Sequence, residues 1–499
     1  MVIAAIVLAA AIAFGASLGH GFVYDDFAIF ADPYVTSRST GWFEVWRIEQ
    51  TRPLTYLTFW FNFALGGEDP AGYHAVNLVL HLGNVWLAST LLRRLLPSPS
   101  WQLAAVLFAV HPLQSEPVNY VFARATLLMT LFCLLALGEW LKNRTWYSVA
   151  WFAAALLAKE ECAAFPLVLL ALHWSMRRER EELKPIAVML LLSLAAGLRT
   201  IWATQVIEGV PAGAFAGITP LEYLSAQGPA ILRYLRLIVW PAGLSVEPGI
   251  ARDFAWAAWI AVLAILVISL RSFRNAGAGF WCIAGLLLLL PSSSIFPVPE
   301  LAADRRMYLP MFGFAASASL IAARFTWMPI VICLALLPVS LFRTQVWGSG
   351  ERLWREALDQ SPYSVRPRLQ LARIVPTAEG IRLLEGARKY NPDSPLVASE
   401  LGRLHLSAGA AEVALQEFGR ALALAPNSAQ AISNRGVALM LLKQPEAAAA
   451  DFTRALGLQP CLLEARINAA RAGLNMGPPP RNCRYSEAER NALAEALTF

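Results

Sequence analysis

Charged residues are scarce in this chain of 499 amino acids. Asp, Glu, Lys and Arg together make up 15% of the sequence, whereas hydrophobic residues make up 57%. Soluble proteins usually contain about 25% charged residues, so the composition excludes an ordinary soluble protein and indicates many membrane-spanning segments. The net charge of +6 is too small and too dispersed for a nucleic-acid-binding surface. We therefore expect membrane lipids, and no nucleic acid, among the partners.

Basic residues are also missing from the N-terminal segment, and cysteine is rare. The opening stretch "MVIAAIVLAAAIAFGASLG" contains no Lys or Arg, so we expect an uncleaved first transmembrane helix rather than a cleaved signal peptide. Four of the six cysteines lie inside apolar runs and fit small core residues. Cys461 and Cys483 lie in the polar tail, where they would pair only in an oxidising compartment.

What the chain has in abundance is apolar runs long enough, or nearly so, to span a bilayer. There are about eleven of them, at residues 2–20, 74–92, 101–111, 125–141, 145–158, 162–175, 185–203, 254–270, 278–291, 309–323 and 326–342. Several are short, so we expect some helices to be broken or packed inside a bundle. The pattern predicts an all-α, polytopic membrane helix bundle.

The charged linkers between these runs predict an orientation. The linkers that begin at Arg93, Lys142, Met176 and Arg271 are rich in Lys and Arg, and by the positive-inside rule they face the cytoplasm. This places the N-terminus inside, and everything after residue 343 on the outer side. The segment 229–248 does not fit as a span in this alternation, so we expect it to be interfacial or re-entrant.

The composition changes after residue 343, where an internal repeat begins. The markers that recur every 34 residues are Pro392, Pro426 and Pro460, and likewise Gly402 and Gly436. A 34-residue period with a terminal proline is typical of tetratricopeptide repeats, and such arrays are binding surfaces. Two repeats are clear and their neighbours are degenerate. We therefore predict a membrane domain at 1–343 and a soluble tetratricopeptide-repeat α-solenoid at 344–499.

Acids and strong cations accumulate in the predicted outer segments and at the span ends beside them. Together with two histidines and a tyrosine nearby, they are in chain order Asp25, Asp26, Arg52, His81, His111, Glu116, Arg124, Lys159, Glu160, Asp304, Arg305, Arg306 and Tyr308. Arginine provides planar donors suited to phosphate, and lysine a point charge. A nearby carboxylate can act as a base or nucleophile. This combination predicts an anionic phosphate held beside a general base at the level of the lipid headgroups.

Each of these groups also has a structural interpretation. The aspartate pair could cap a helix, and the arginines could contact ordinary phospholipid headgroups. His81 and His111 fit hydrogen-bonded core histidines, and Glu116 with Lys159 and Glu160 fits an ion-pair network. The co-occurrence of all of them on one predicted membrane face favours a functional site.

The order of the short motifs resembles a known family. The acids after the first span are followed by "RPL", "YHAVNLVLH", "HPLQSEPVNYVFARATLL", "KE", "LRYLRL" and "DRRMYLPMFGF", with the repeats behind them. In this the sequence resembles the transmembrane-and-tetratricopeptide-repeat O-mannosyltransferases, which belong to the GT-C class of membrane glycosyltransferases. The resemblance covers nearly the whole chain.

The resemblance implies an inverting transfer of one sugar from a polyprenyl-phosphate carrier to an acceptor hydroxyl outside the cytoplasm. One aspartate of the Asp25–Asp26 pair would be the general base, and Asp25 is favoured. The groups that would neutralise the departing lipid phosphate are Arg52, Lys159, Arg305 and Arg306. The groups that would orient sugar or acceptor are His81, His111, Glu116, Arg124, Glu160 and Tyr308. No metal or other cofactor is expected, although an aspartate pair could hold a divalent ion.

Several alternatives remain open for the acceptor and for the class of protein. Protein Ser/Thr is the expected acceptor, because a repeat array suits a polypeptide better than a lipid. A lipid or cell-envelope glycan is the second possibility, and a membrane-anchored scaffold is the third. A transporter is disfavoured, since the second half does not repeat the first and few acids lie mid-span. Short loops and high alanine content favour a bacterial inner-membrane protein with its site and repeats in the periplasm.

Overall fold

The fold is entirely helical wherever the chain can be described. The computed structural model describes all residues except 48–49, 177–182, 208–217, 251–253, 295–296, 298–299, 476, 481–482, 484, 486 and 498–499. Within the described residues all regular secondary structure is helix, which confirms the all-α prediction. The chain forms two compact units. The first is made of residues 1–29 and 40–349, and the second of residues 30–39 and 350–499.

The first unit is built from long helices joined by short helical turns. Its longer helices are α1 (Val2–Phe14), α2 (Pro53–Gly66), α3 (Pro70–Leu95), α4 (Ser100–Val110), α5 (Arg124–Leu141), α6 (Thr145–Ala158), α7 (Phe165–Met176), α8 (Leu183–Ile207), α9 (Pro220–Val239), α10 (Ala255–Leu270), α11 (Ala278–Leu289), α12 (Pro310–Ala322) and α13 (Met328–Trp347). The short turns are Gly15–Gly19, Tyr24–Phe27, Ala28–Ala31, Gly41–Glu44, Pro112–Gln114, Ser115–Asn119, Val121–Ala123, Glu160–Ala164, Arg274–Ala276 and Asp304–Met307. Every apolar run predicted from the sequence falls on one of these helices.

Five stretches of helix among the described residues are long and apolar enough to cross a membrane. They are Val2–Gly19, Pro70–Leu95, Val121–Leu141, Leu183–Thr204 and Met328–Trp347. The shorter apolar helices are α4, α6, α10, α11 and α12. The number of about eleven spans and their orientation stay predictions, as does the interfacial placement of 229–248, whose first half forms the end of α9.

The outer surfaces of these helices are apolar, as a lipid environment requires. Leu194 on α8, Ile260 on α10 and Leu334 on α13 are 60%, 68% and 65% exposed. Large apolar side chains exposed on several helices are unusual for a protein that is surrounded by water. The helices therefore present these side chains to lipid.

The polar side chains of α3 face the opposite way, into the bundle. His74, Asn77, His81 and Asn84 follow the three-and-four spacing of one helix face, and all four are fully buried. On the other side of the same helix, Val79 is 67% exposed. Polar groups inside a membrane bundle need protein partners because lipid offers none. The buried polar face of α3 thus gives the unit an interior able to bind polar side chains from other helices.

Small residues allow two helices of the bundle to approach closely. A Cβ atom added to Gly313 on α12 would lie 2.8 Å from both the backbone N of Gly285 and the carbonyl O of Trp281 on α11. Helices in membranes associate mainly through such close backbone packing. This contact fixes the start of α12, directly after the Asp304–Met307 turn that carries two of the predicted cations.

The second unit reproduces the repeat period found in the sequence. Its helices are Pro33–Thr36, and then α14 (Gly350–Gln360), α15 (Val365–Ala372), α16 (Thr377–Tyr390), α17 (Pro395–Ser407), α18 (Ala411–Leu424), α19 (Ala429–Leu441), α20 (Pro445–Leu458), α21 (Leu463–Arg471) and α22 (Glu487–Leu497). The pair α19–α20 begins and ends 34 residues after the pair α17–α18. The repeats that flank them are shorter and less regular. The predicted tetratricopeptide-repeat solenoid is therefore confirmed, and Cys461 and Cys483 form a disulfide at its end.

Each repeat pair is locked by a glycine against a phenylalanine ring. A Cβ on Gly402 would lie 2.7 Å from the ring of Phe418, and a Cβ on Gly436 would lie 2.7 Å from the ring of Phe452. Both rings are fully buried, so they cannot move aside without disturbing the core. The 34-residue glycine spacing in the sequence therefore reflects a repeated close contact between the two helices of a pair.

We expect Gly436→Ala to lower the free energy of unfolding by about 1–3 kcal/mol, because the added methyl group overpacks the contact with Phe452. The matched control is Gly419→Ala on α18, where a Cβ would meet no atom within 4 Å. That change should raise stability by up to about 1 kcal/mol, since alanine is the better helix former. Thermal unfolding of the full-length protein in detergent measures both effects. Equal effects of the two substitutions would contradict this packing.

Candidate functional site

The two adjacent aspartates lie on one helical turn, Tyr24–Phe27, but in different environments. Asp26 is fully buried. One of its oxygens accepts a hydrogen bond from the N–H of Val23 at 3.0 Å, and the other accepts one from the N–H of Phe122 at 2.8 Å. Asp26 therefore ties the turn that carries the pair to the Val121–Ala123 turn.

Burial changes the protonation of this carboxyl group. Removal from water raises the pKa of Asp26 from 3.8 to about 7, although the two N–H donors and the charge of Arg124 act in the opposite direction. The neighbouring charge of Asp25 raises it further. A carboxyl group held in this way is suited to fixing the backbone around it.

Asp25 is only half-buried, and it contacts an aromatic side chain. Its Oδ2 accepts a hydrogen bond from the Tyr120 hydroxyl at 3.1 Å. The ring of Tyr120 is stacked between Tyr24, with ring centres 5.9 Å apart, and Trp347, at 5.7 Å. Tyr24 has a left-handed backbone, with φ of +54°, which costs a non-glycine residue about 1–3 kcal/mol. The stacked rings offset this strain and hold Asp25 in place.

Arg305 also contacts Tyr120. Its guanidinium carbon is 6.0 Å from the centre of the Tyr120 ring. Its Nη1 donates to Glu116 Oε1 at 2.6 Å, and its backbone N–H donates to the other oxygen of Glu116 at 2.9 Å. The second guanidinium nitrogen donates to Glu300. Burial raises the pKa of Glu116, and the Arg305 charge opposes that effect.

Arg52 and Lys159 are each paired with an acid of the "KEE" segment. Arg52 binds Glu160 with two nitrogens, at 2.6 and 3.1 Å. Burial alone would raise the pKa of Glu160, but the Arg52 guanidinium outweighs it and lowers that pKa to about 2. Lys159 Nζ lies 2.8 Å from Glu161 and donates to Thr126 at 3.0 Å.

Three of the four predicted phosphate-binding cations lie within electrostatic reach of one another. Burial lowers the pKa of Lys159, and the positive charges of Arg52 and Arg305 lower it further. These three cations come from loops far apart in the sequence. Lys159 is therefore within electrostatic reach of Arg52 and Arg305, and each of the three cations has a carboxylate beside it.

Arg306 differs from the other three. It donates to the carbonyl oxygens of Glu300 at 2.7 Å, Leu301 at 3.3 Å and Ser292 at 3.4 Å. Within the described ranges, no carboxylate lies within salt-bridge distance of it. Arg306 therefore braces the loop before the Asp304–Met307 turn, and its charge is not neutralised by a direct partner.

The predicted orienting groups His81, Tyr308 and Arg124 lie deeper in the bundle. His81 Nδ1 is 2.7 Å from the Tyr308 hydroxyl, and its Nε2 is 3.1 Å from the carbonyl O of Ala109. Arg124 is fully buried and donates to Asn77 at 2.8 Å, to the carbonyl O of Tyr73 at 3.0 Å, and to two further side chains on α2. These contacts join helices, so they favour the structural interpretation, while a role with sugar or acceptor stays a prediction.

His111 lies at the end of α4, where it joins two segments. Its Nδ1 accepts the N–H of Leu113 at 3.2 Å, so its Nε2–H donates to the carbonyl O of Ile238, also at 3.2 Å. Burial lowers the pKa of His111 to about 4. It is therefore a neutral imidazole that fixes the loop carrying Glu116.

Two further residues belong to this region and were missed from the sequence. Arg233 on α9 binds Asp304 at 2.5 Å, and thereby positions the turn that carries Arg305. The "LRYLRL" motif contains Arg233, but the sequence predicts an interfacial segment at 229–248 and no role for this arginine. Tyr120 was missed because it lies among the polar residues of "SEPVNYVFAR" and carries no charge.

The described part of the chain contains no group of three His, Cys, Asp or Glu side chains placed to hold a metal ion. Both oxygens of Asp26 accept backbone N–H groups, so the aspartate pair does not face a common point. A metal-independent reaction stays a prediction.

The chain is similar in sequence to known protein O-mannosyl-transferases. The chain is 25% identical over 361 residues to a protein O-mannosyl-transferase of Caenorhabditis elegans, which covers 65% of this chain and 51% of the relative. It is 24% identical over 547 residues to the protein O-mannosyl-transferase TMTC3 of Mus musculus, covering 92% of this chain and 55% of the relative. The predicted family resemblance is confirmed. The chain spans about half the length of these curated O-mannosyl-transferase relatives, and no family model matches it.

Solved structures overlap with the chain only weakly. The Cut9–Hcn1 hetero-tetramer of APC/C is 12% identical, with a TM-score of 0.25, and covers 84% of this chain and 89% of that one. The MamA protein is 17% identical, with a TM-score of 0.23, and covers 30% and 76%.

We expect the buried carboxyl of Asp26 to make stability depend on pH. Because its pKa is raised from 3.8 to about 7, its contribution is fully present below the lower value and is lost as pH rises through the higher one. The melting temperature of the wild type, relative to Asp26→Asn, should therefore fall between about pH 4 and pH 7. Asp69→Asn, at the exposed cap of α3, is the control. A constant difference between wild type and Asp26→Asn over this range would contradict the assignment.

Proposed function

We propose that this protein is an inverting membrane glycosyltransferase. It moves a single sugar from a polyprenyl-phosphate-linked donor to a hydroxyl of a protein Ser or Thr, on the non-cytoplasmic face of the membrane. The observation that carries the proposal is the contact series Asp25–Tyr120–Arg305, in which a half-buried carboxylate and a guanidinium flank one aromatic ring. The proposed base and a proposed phosphate-binding cation thus contact the same side chain.

The proposed reaction is a single displacement. Asp25 takes the proton from the acceptor hydroxyl while its oxygen attacks the anomeric carbon. The bond between that carbon and the phosphate oxygen breaks, and its electrons leave with the lipid phosphate. The new bond forms on the face opposite the leaving group, so the configuration inverts.

The cations stabilise the negative charge that develops on the leaving phosphate in this step. A polyprenyl-phosphate sugar is a phosphate diester with one negative charge, and its release as a monoester adds a second. Arg52 and Lys159 are already paired with Glu160 and Glu161, and Arg305 with both Glu116 and Glu300, so the donor meets a site without excess positive charge. The extra charge develops only as the bond breaks, and buried cations stabilise that state more than the ground state.

The acceptor and the sugar are proposed from the relatives and the repeats. The relatives are named protein O-mannosyl-transferases, which makes mannose the first sugar to test and protein the first acceptor. A solenoid of repeats provides an extended surface suited to a polypeptide. The disulfide between Cys461 and Cys483 is typical of an oxidising compartment, which supports a periplasmic site in a bacterial inner membrane.

Asp25→Asn should reduce transfer by about 100-fold or more, because loss of a general base typically costs about 10²–10⁴ in rate. The assay uses the purified protein in liposomes with polyprenyl-phosphate mannose and envelope protein, followed by intact mass. Asp69→Asn is the matched control. Full activity of Asp25→Asn together with an inactive, folded Asp26→Asn would make Asp26 the base. Transfer only to lipid would support the alternative acceptor.

Arg305→Lys should lower kcat by about 100-fold with little change in the donor KM. Lysine keeps a charge but cannot donate to Glu116 and Glu300 with a fork. Because the charge of the phosphate grows only in the transition state, kcat should carry the effect. Arg94→Lys, on an exposed position at the end of α3, is the control. A rise in KM with unchanged kcat would contradict the role given to Arg305.

A further inference from the structure

We propose that Tyr120 is a positioning residue that orients the Asp25 carboxylate and stabilises its ionised form. This inference rests on the proposed function, because it concerns the base of that reaction. The observations that carry it are a hydrogen bond, a rigid aromatic stack and a cation over the same ring.

A hydrogen bond connects Tyr120 to the Asp25 carboxylate. The Tyr120 hydroxyl donates to Asp25 Oδ2 at 3.1 Å. Burial raises the pKa of Tyr120 well above its ordinary value, so the phenol remains a proton donor across the working pH range. A donor to a carboxylate stabilises the charged form of the acid. Without this bond, Asp25 would bind a proton at higher pH and lose its ability to accept one from the acceptor.

The stack makes the donor rigid. The Tyr120 ring is 2% exposed and lies between Tyr24 and Trp347, at interplanar angles of 26° and 24°. Tyr24 belongs to the same turn as Asp25, and Trp347 ends α13. A buried ring stacked against two other rings keeps its hydroxyl at one place, so the carboxylate is oriented before an acceptor arrives.

Arg305 strengthens the same donor. Its guanidinium lies within 6.0 Å of the ring centre, at the limit of cation–π contact. Among the titratable groups that act on Tyr120, Asp25, Asp26 and Tyr24 oppose its ionisation, whereas Arg305 favours it. Tyr120 thus links the base to a cation proposed to receive the phosphate.

The test compares the pH dependence of kcat/KM in wild type and Tyr120→Phe, with polyprenyl-phosphate mannose as the donor. Phenylalanine keeps the stacked ring and removes only the hydroxyl. The acid limb of the profile should move to higher pH by about 0.5–1 unit, the size expected for one hydrogen bond, with activity largely restored at alkaline pH. Tyr485→Phe removes a hydroxyl bonded to Cys461 in the repeat unit, and its profile should match that of the wild type.

A second substitution keeps the proposal testable if Tyr120→Phe does not fold. Replacing Tyr120 by 3-fluorotyrosine makes the phenol a stronger donor, so the acid limb should move to lower pH. Equal loss of activity at every pH in Tyr120→Phe would show a merely structural role and overturn the inference. Unchanged profiles for both variants would also overturn it. An inactive wild type would instead contradict the proposed function itself.

Discussion

The carboxylate of Asp26 accepts the backbone N–H of Val23, just before its own turn, and that of Phe122, which lies 96 residues further along the chain. It joins the turn after α1 to the turn before α5, at the place where both leave the apolar part of the bundle. Asp25 and Tyr120 each adjoin one end of this bridge, so their hydrogen bond depends on it. A buried carboxyl group is costly to ionise, and the raised pKa of Asp26 reflects that cost. The two backbone N–H donors, which favour the charged form, offset part of this cost.

The cations of the site show a second constraint. An unpaired charge cannot be buried in a membrane protein without a large penalty, and Arg52, Lys159 and Arg305 each lie beside a glutamate. The structural interpretation as an ion-pair network and the functional interpretation as a phosphate site therefore describe the same contacts. The network holds the cations in place, and the proposed reaction creates the additional negative charge to which they respond. This arrangement explains why an excess of positive charge is not needed before the donor binds.

Local patterns predicted much of the fold. Apolar runs located the helices of the bundle, because lipid requires continuous hydrophobic segments. The 34-residue spacing predicted the repeats, because each glycine must meet a phenylalanine ring in the same helix pair. The proximity of Lys159 to Arg52 and Arg305 agrees with loops that the sequence predicts on one membrane face.

The roles within the site depend on tertiary contacts that spacing does not reveal. Asp25 and Asp26 are neighbours with the same chemistry, and only tertiary contacts distinguish Asp26, which accepts the N–H of Phe122, from Asp25, which accepts the Tyr120 hydroxyl. The charge of Arg124 predicted a role in binding sugar or acceptor. Its hydrogen-bond partners are neutral groups on helices whose packing the sequence does not specify. Tyr120 and Arg233 were not predicted because their roles depend on the residues that they contact, Asp25 and Asp304 respectively.

The most direct test of the account is the configuration of the product. Purified protein in liposomes would be given polyprenyl-phosphate mannose of defined β configuration, and the anomeric carbon of the glycosylated product would be assigned by nuclear magnetic resonance. A single displacement with Asp25 as base predicts an α-linked mannose on a protein hydroxyl. A β-linked product would contradict the single displacement, and the absence of any transfer would contradict the donor.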